Sequence, residues 1–208
     1  MAVSLASISV LISGCGQEGG GQAAGETASV SAEIQTEVQT DQPAEASLPV
    51  SLELGNWEDV QACLTQNAGK VAVVDVWSTS CSPCIEELPH LGQLQRDNPE
   101  DVVCISLSLD YVGIKSKPPE YYRDRVESVL ERCAVNVRNF LCTMEADDVL
   151  DEIDLSAPPA VYVYDGDGKL VQRFDASLLK EGSGDDEPFT YKADVIPLVA
   201  QLTAQLDQ

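Results

Sequence analysis

The stretch Val71–Pro89, VAVVDVWSTSCSPCIEELP, decides how the rest of the chain is interpreted. An apolar run ends at Trp77, and two cysteines follow it, Cys81 and Cys84, with two residues between them. The run is rich in β-branched residues, which predicts a central strand covered on both faces. Apolar residues after Cys84 recur at helical spacing, so the pair is predicted to lie where a helix begins. Two cysteines so placed indicate either a redox site or a metal site.

The charge of the chain limits its partners. The 208 residues carry a formal net charge of −23, and no Lys or Arg precedes Lys70. From Lys70 onward, 26 acidic residues stand against 12 basic ones. A negative field of this size repels phosphate backbones, so we expect no nucleic-acid partner.

The numbers of cysteine and histidine residues limit the chemistry. Seven cysteines at irregular spacing are not the framework of a small disulfide-rich protein. The single histidine, His90, removes most histidine-based metal sites and catalytic triads. We therefore predict no metal ligands.

Residues 1–15 resemble a bacterial lipoprotein signal peptide. An apolar run through residues 10–12 leads to small residues and then Cys15, which the resemblance implies becomes the lipidated N-terminus. The positive charges that usually begin such a signal are absent, and the alternative is a cysteine placed there by chance. The apolar run is shorter than the ~20 residues that a spanning helix needs. We expect membrane contact through the lipid anchor only, on the periplasmic side of a bacterial membrane.

Residues 16–49 are predicted to be a flexible acidic tether. They contain almost no large apolar side chains and are rich in Gly, Ala, Gln, Thr, Ser and Glu. Such a segment cannot bury enough surface to offset the entropy of ordering it. The remaining residues, 50–208, are predicted to form the folded domain.

Hydrophobic patterns in residues 50–208 predict strands and helices that alternate and end in a hairpin and a helix. Strands are predicted over 50–54, 70–77, 101–109, 138–143, 160–164 and 170–174, with helices after Asn56, from Cys81 to about Asp97, and over 119–133, 146–153 and 193–206. The strand at 138–143 is short and is predicted at an edge of the sheet. This order predicts a three-layer α/β domain with a mixed central sheet flanked by helices.

The position of the cysteine pair predicts a division of labour. Cys81 lies where helix dipoles and free N–H groups stabilise a thiolate, so we expect it to be the exposed nucleophile. Cys84, one turn along, can attack a mixed disulfide from within and release the partner. Pro83 holds the short turn, and Ser82 is small enough to let a partner approach.

Three motifs resemble the thioredoxin superfamily, in particular its TlpA-like envelope thiol-disulfide oxidoreductases. Val74–Trp77, three further residues and Cys-x-Pro-Cys resemble thioredoxin. The sequence EELPHL at residues 86–91 resembles the envelope branch, and PAVYVY at residues 159–164 resembles the cis-proline loop and its strand. The resemblance covers roughly residues 69–174. It implies a thioredoxin-like fold, dithiol exchange without a cofactor, protein disulfide substrates in the envelope, and a membrane electron donor.

The resemblance also implies roles for single residues. Pro159 is expected to be cis and to lie against the cysteine pair, where it leaves backbone free for a substrate. Asp75 matches the buried acid of thioredoxin; its desolvated carboxyl is expected to have a raised pKa and to exchange a proton with Cys84, the alternative being a purely structural aspartate. The remaining residues expected to bind substrate are Trp77, Ser82, Pro83 and Pro158.

Several alternatives stay open at this point. Ser80 stands where relatives commonly have an aromatic residue, and the segment 110–148 is longer than usual. A further disulfide among Cys104, Cys133 and Cys142 is possible in an oxidising compartment, although their apolar surroundings favour buried thiols. Other functions compatible with the sequence are a tethered copper chaperone and a non-catalytic binding module. The direction of electron flow also stays open.

Overall fold

The computed structural model describes residues 50–175 and 189–206. The predicted signal peptide at 1–15, the predicted tether at 16–49 and the acidic loop at 181–187 lie outside these residues. Among the helices that are described, none is long and apolar enough to cross a membrane.

Within the described residues, six strands form one mixed sheet. In chain order they are β1 (Leu52–Gly55), β2 (Val71–Trp77), β3 (Val102–Ser108), β4 (Arg138–Cys142), β5 (Ala160–Tyr164) and β6 (Leu170–Phe174). Their order across the sheet is β1-β4-β3-β2-β5-β6. The first four in this order are parallel to one another, whereas β5 is antiparallel to both β2 and β6. The mixed central sheet predicted from the sequence is confirmed.

The prediction that residues 138–143 form an edge strand is wrong. β4 pairs with β3 on one side and with β1 on the other, so the edges are β1 and β6. The reason is visible in the burial of β4, where Phe140, Leu141 and Cys142 are consecutive and all buried. Three buried residues in a row require cover on both faces, as in an interior parallel strand.

In the part of the chain that the structure describes, five α-helices cover the two faces of the sheet. They are α1 (Trp57–Gln66), α2 (Ser82–Asp97), α3 (Arg123–Arg132), α4 (Ala146–Glu152) and α5 (Ile196–Leu206). A 3₁₀ turn, Pro119–Tyr122, precedes α3, and a π-helical turn, Tyr191–Val195, precedes α5. Apolar residues of α2, α3 and α5 pack in one cluster, and those of α1 and α4 pack in a second one. The two clusters make the outer layers of the predicted three-layer domain.

Strand β2 positions the cysteine pair and the acid behind it. It lies between β3 and β5, and every residue in it is buried. Successive side chains in a strand point to opposite faces. Val71, Val73 and Trp77 join the cluster on the α2 side, whereas Val74 and Val76 join the cluster on the α1 side. Asp75 therefore projects toward the α2 side, the side on which the cysteine-bearing helix packs.

Candidate redox site

Cys81 and Cys84 are joined by a disulfide, with their Cα atoms 5.3 Å apart. Cys81 is the N-cap of α2, and the backbone N–H of Cys84 donates to its Sγ at 3.2 Å. Cys84 is only 2% exposed, whereas Cys81 is partly exposed. The helix dipole and the N–H both favour negative charge on the Cys81 sulfur once the pair is reduced. The site therefore has one accessible sulfur and one shielded sulfur.

The loop ahead of Cys81 is anchored from the end of β3. Asp110 follows β3, is 3% exposed, and accepts hydrogen bonds from the Thr79 backbone N–H at 3.0 Å and from Ser108 Oγ at 2.6 Å. The Thr79 hydroxyl and the Arg125 guanidinium of α3 also donate to this carboxylate. Because the loop leads directly into Cys81, Asp110 fixes where the accessible sulfur lies.

Asp75 is a buried acid, only 3% exposed. Its side chain accepts a hydrogen bond from the hydroxyl of Tyr191, with 2.6 Å between that oxygen and Asp75 Oδ2. Burial raises the pKa of the Asp75 carboxyl from 3.8 to about 7; the Tyr191 hydrogen bond acts in the opposite direction, and the charge of Glu87 adds to the rise. A carboxyl group with this pKa exchanges protons readily near neutral pH.

Tyr191 and Glu87 connect this acid to two other elements. Glu87, on α2, accepts the backbone N–H of Tyr191 at 2.7 Å through Oε2. His90, one turn further along α2, stacks its ring on Tyr191 with centroids 6.1 Å apart. In the structure Glu87 binds the segment that covers the site.

A cavity of about 180 Å³ brings the pair, the acid and the proline loop together. Its lining includes Asp75, Cys84, Glu87, Pro159 and Tyr191. The buried sulfur and the buried carboxyl group thus share one small, mostly enclosed space, in which a proton can pass between them through a water molecule.

The proline loop lies where the resemblance implied. The peptide bond between Pro158 and Pro159 is cis, and β5 begins at the next residue, Ala160, opposite Val76 of β2. A parallel β2-α2-β3 unit, an antiparallel β5-β6 hairpin and a final helix surround a disulfide at the start of α2. The fold is thioredoxin-like.

Trp77 was expected from the sequence to contact substrate, but the structure buries it. Trp77 is 0% exposed and packs in the core of the thioredoxin-like domain, so its assignment to substrate binding is wrong. The period-two alternation of β2 places it with Val71 and Val73 on the α2 side of the sheet, which is covered like the other side. Ser82 and Pro83 are exposed and Pro158 is partly exposed, so these three can reach a partner.

Three residues at the site were missed from the sequence. Tyr191 is 116 positions away from Asp75 in the chain, and no local pattern links them. Asp110 and Thr79 form a contact across 31 positions. The sequence did hold a signal for Asp110, which is a charged residue directly after an apolar strand. Because β3 and β2 are parallel neighbours, their ends lie side by side, and Asp110 is therefore close to the residues that follow β2.

The remaining cysteines among the described residues are free thiols. Cys63, Cys104, Cys133 and Cys142 are all buried, which matches the favoured expectation rather than a further disulfide. Burial raises the pKa of each thiol, and for Cys104 the charge of Asp75 adds to the rise. Thiols with raised pKa are poor nucleophiles, so the reactivity concentrates in the pair at α2.

Within residues 50–175 and 189–206, no three His, Cys, Asp or Glu side chains cluster closely enough to hold a metal ion. His90, the single histidine, is engaged elsewhere: its Nδ1 lies 3.1 Å from the backbone oxygen of Glu87.

Comparison with known proteins gives structural likeness only. No protein-family profile matches the chain, and no curated protein matches its sequence. A thiol:disulfide interchange protein from Chlorobium tepidum TLS is 16% identical, with 67% of this chain and 83% of that chain covered and a TM-score of 0.48.

Two further solved structures give the same picture. A thioredoxin-like protein from Porphyromonas gingivalis is 25% identical, with 67% of this chain and 79% of that chain covered and a TM-score of 0.47. A DsbF homologue from Corynebacterium diphtheriae is 14% identical, with 67% and 76% covered and a TM-score of 0.49. At TM-scores below 0.5 these likenesses carry no argument about activity, and the fold assignment rests on the strand order and the site described above.

Proposed function

We propose that this protein is an extracytoplasmic thiol-disulfide oxidoreductase of the TlpA-like type, which reduces or exchanges disulfides in envelope proteins. One observation carries the proposal: a disulfide at a helix N-terminus has one accessible sulfur, and its shielded sulfur shares a cavity with a buried acid. In this arrangement Cys81 supplies the nucleophile, Cys84 the resolving thiol and Asp75 the proton acceptor.

The proposed reaction begins with Cys81 and Cys84 in the reduced, dithiol form. The Cys81 thiolate attacks one sulfur of a substrate disulfide, so that the substrate S–S bond breaks, a mixed disulfide forms and the other substrate sulfur leaves as a thiolate that takes up a proton. Cys84 then loses its proton to Asp75 and attacks the Cys81 sulfur. The mixed disulfide breaks, the substrate leaves as a dithiol, and two electrons have passed to it as the Cys81–Cys84 disulfide forms.

Substrate approach involves the exposed side of the pair. Ser82 and Pro83 present a small, uncharged surface beside Cys81, and Pro158 and Pro159 border it from the start of β5. We assign these residues to contact with an extended segment of the substrate protein, whose backbone pairs next to the cis proline.

The location and the electron supply complete the proposal. The lipoprotein-like signal at residues 1–15, with lipidation at Cys15, and the tether at 16–49 support a domain held at the periplasmic side of a bacterial membrane. A reductase outside the cytoplasm must be re-reduced there, so we assign a dithiol donor in the membrane as its partner. No cofactor enters the cycle.

The alternative of a copper chaperone gains no specific support from the site. Its histidine would have to approach the cysteine pair, but the ring of His90 stacks on Tyr191 and its Nδ1 faces the Glu87 backbone. We therefore keep disulfide exchange as the single candidate.

The decisive experiment compares two serine variants in membranes. Cys84→Ser is expected to accumulate mixed disulfides with envelope proteins, visible on non-reducing gels and removed by dithiothreitol. Cys81→Ser is expected to abolish both trapping and the reduction of a disulfide-bonded protein, while Cys63→Ser, which removes a buried free thiol on the opposite face, keeps wild-type activity. Unchanged activity in Cys81→Ser would refute the proposal.

The anchor is tested separately from the chemistry. Expressed in a bacterial host that processes lipoproteins, the full chain is expected to incorporate labelled palmitate and to sediment with membranes. The Cys15→Ala variant is expected to lose the label and to stay in the soluble fraction. Its disulfide-reducing activity is expected to be unchanged. Labelling that survives this change contradicts the assignment of Cys15.

A further inference from the structure

Tyr191 joins three elements at the redox site, although dithiol exchange itself requires no tyrosine. Its side chain is 0% exposed. Its hydroxyl donates to Asp75 on β2 at 2.6 Å, and its backbone N–H donates to Glu87 on α2 at 2.7 Å. The ring of His90 stacks on it from the same helix. Both ends of the residue are thus fixed, one by the acid and the other by α2.

The hydroxyl is a permanent donor rather than a proton carrier. Burial and the neighbouring charge of Asp75 raise the pKa of Tyr191 well above 10, so the phenol keeps its proton throughout the physiological range. A donor that stays protonated stabilises the ionised form of the carboxyl group more than the neutral form, because the hydrogen bond to a charged acceptor is the stronger one. This contribution opposes the effect of burial.

We propose that Tyr191 is a positioning residue for Asp75, whose hydroxyl holds the carboxyl group in one orientation and favours its ionised form when Cys84 needs a proton acceptor. The role deepens the proposed oxidoreductase function and rests on it. It also gives the final segment of the chain, which begins with the π-helical turn at Tyr191, a direct part in setting the chemistry of the cysteine pair.

The groups that face Asp75 come from every element packed around it. Cys84 and Glu87 are on α2, with His90 behind Tyr191 on the same helix; Cys104 is on β3; and Tyr191 precedes α5. Among these, the charge of Glu87 raises the pKa of Asp75 whereas the Tyr191 hydrogen bond lowers it. The two contributions have opposite signs, so variants of the two residues are expected to move the titration in opposite directions.

The first test follows the Asp75 carboxyl carbon by NMR in the oxidised full chain, labelled with ¹³C at aspartate and titrated between pH 4 and 10. Asp75→Asn identifies the signal. Tyr191→Phe removes only the hydroxyl and is expected to move the midpoint upward by about one pH unit, since one unit corresponds to one ordinary hydrogen bond. Glu87→Gln keeps an acceptor for the Tyr191 N–H, removes the charge, and is expected to move the midpoint downward.

A matched control is available on the other face of the sheet. Tyr162, on β5, is 4% exposed and packs in the cluster of α1 and α4, so Tyr162→Phe removes a phenol hydroxyl from a buried place away from Asp75. It is expected to leave the midpoint unchanged. The proposal would be overturned if the Asp75 midpoint in Tyr191→Phe equals the midpoint in the wild type and in Tyr162→Phe. This comparison requires that the near-ultraviolet circular dichroism of the Tyr191→Phe protein is native.

The wild-type protein provides a second readout that does not depend on the folding of a variant. With ¹³C at the tyrosine ring carbon that bears the hydroxyl, the Tyr191 signal is expected to shift with the same midpoint as the Asp75 carboxyl. A Tyr191 signal that ignores the Asp75 titration would also overturn the proposal.

Activity then separates this inference from the proposed function. The pH profile of disulfide reduction is expected to move upward in Tyr191→Phe by the same interval as the carboxyl midpoint. If no variant or wild type reduces disulfides, the proposed function fails, while the two titrations still decide whether Tyr191 sets the protonation of Asp75.

Discussion

Loss of the Asp110 side chain is expected to destabilise the domain, although Asp110 does not contact the cysteine pair directly. Replacement by alanine leaves the Thr79 backbone N–H and the buried Ser108 hydroxyl without their acceptor. The Thr79 hydroxyl loses its acceptor too, but Thr79 is partly exposed and this hydroxyl can rotate toward water. Arg125 loses its partner too, but its side chain is 56% exposed and can turn to water at little cost.

The magnitude follows from the two groups that stay inside. An unsatisfied buried donor costs about 1–3 kcal/mol, so the pair predicts a loss of about 2–6 kcal/mol in the free energy of unfolding. For a domain of this size each kcal/mol corresponds to about 2–4 °C in Tm. Asp110→Asn keeps one carbonyl acceptor and is expected to lose less than the alanine variant.

Urea denaturation of the oxidised protein at constant pH measures these losses, with Glu131→Ala as the control. Glu131 is an exposed acid on α3, and its removal changes the net charge equally while the expected loss stays within about 0.5 kcal/mol. Amide hydrogen exchange adds a local readout, since the Thr79 N–H is expected to exchange faster in Asp110→Ala. An alanine variant no less stable than Glu131→Ala, with an unchanged denaturant slope, would refute the reasoning.

Three further predictions concern the acid, the free thiols and the packing of α2. Because the pKa of Asp75 is raised from 3.8 to about 7, the wild type is expected to lose about 3 kcal/mol of unfolding free energy between pH 4 and pH 7 relative to Asp75→Asn. Urea denaturation at each pH measures this loss, and an equal pH dependence of the two proteins contradicts the prediction. In native protein, maleimide is expected to label Cys63, at 7% exposure, before Cys142, at 0%, as peptide mapping by mass spectrometry will show; the reverse order contradicts the burial argument. Gly92→Ala is expected to destabilise the domain by about 1–3 kcal/mol despite the better helix propensity of alanine, because the added Cβ would lie 2.5 Å from the Ala134 backbone oxygen; a denaturation midpoint at or above wild type would contradict it.

Local patterns in the sequence were sufficient for most of the architecture. The capping box at Asn56, the strand β2 and the turn between β5 and β6 each depend on residues within a few positions of one another. Periodicity and turn residues report such features directly. The cysteine pair at the start of α2 was predicted for the same reason.

The errors and omissions concern contacts between distant parts of the chain. β4 was placed at an edge because β1, only four residues long, gave no sign that it pairs outside β4. Tyr191 was missed because its partner, Asp75, is on a central strand far earlier in the chain. Trp77 differs, since the prediction that β2 is a central strand covered on both faces already implied its burial. There the family resemblance outweighed a simpler physical rule.

Asp110 lies at the boundary between two segments near the cysteine pair: the hydrogen-bonded loop ahead of Cys81, and the irregular segment that follows Asp110 in the chain. The residues that follow it, 111–118, contain neither strand nor helix, and Val112 and Ile114 are 51% and 43% exposed. The loop ahead of Cys81 is held by Asp110 and by hydrogen bonds within residues 78–81, so insertions or substitutions beyond Asp110 are expected to leave the cysteine pair in place. Residues 111–118 can therefore change in sequence and length while the geometry of the cysteine pair stays the same.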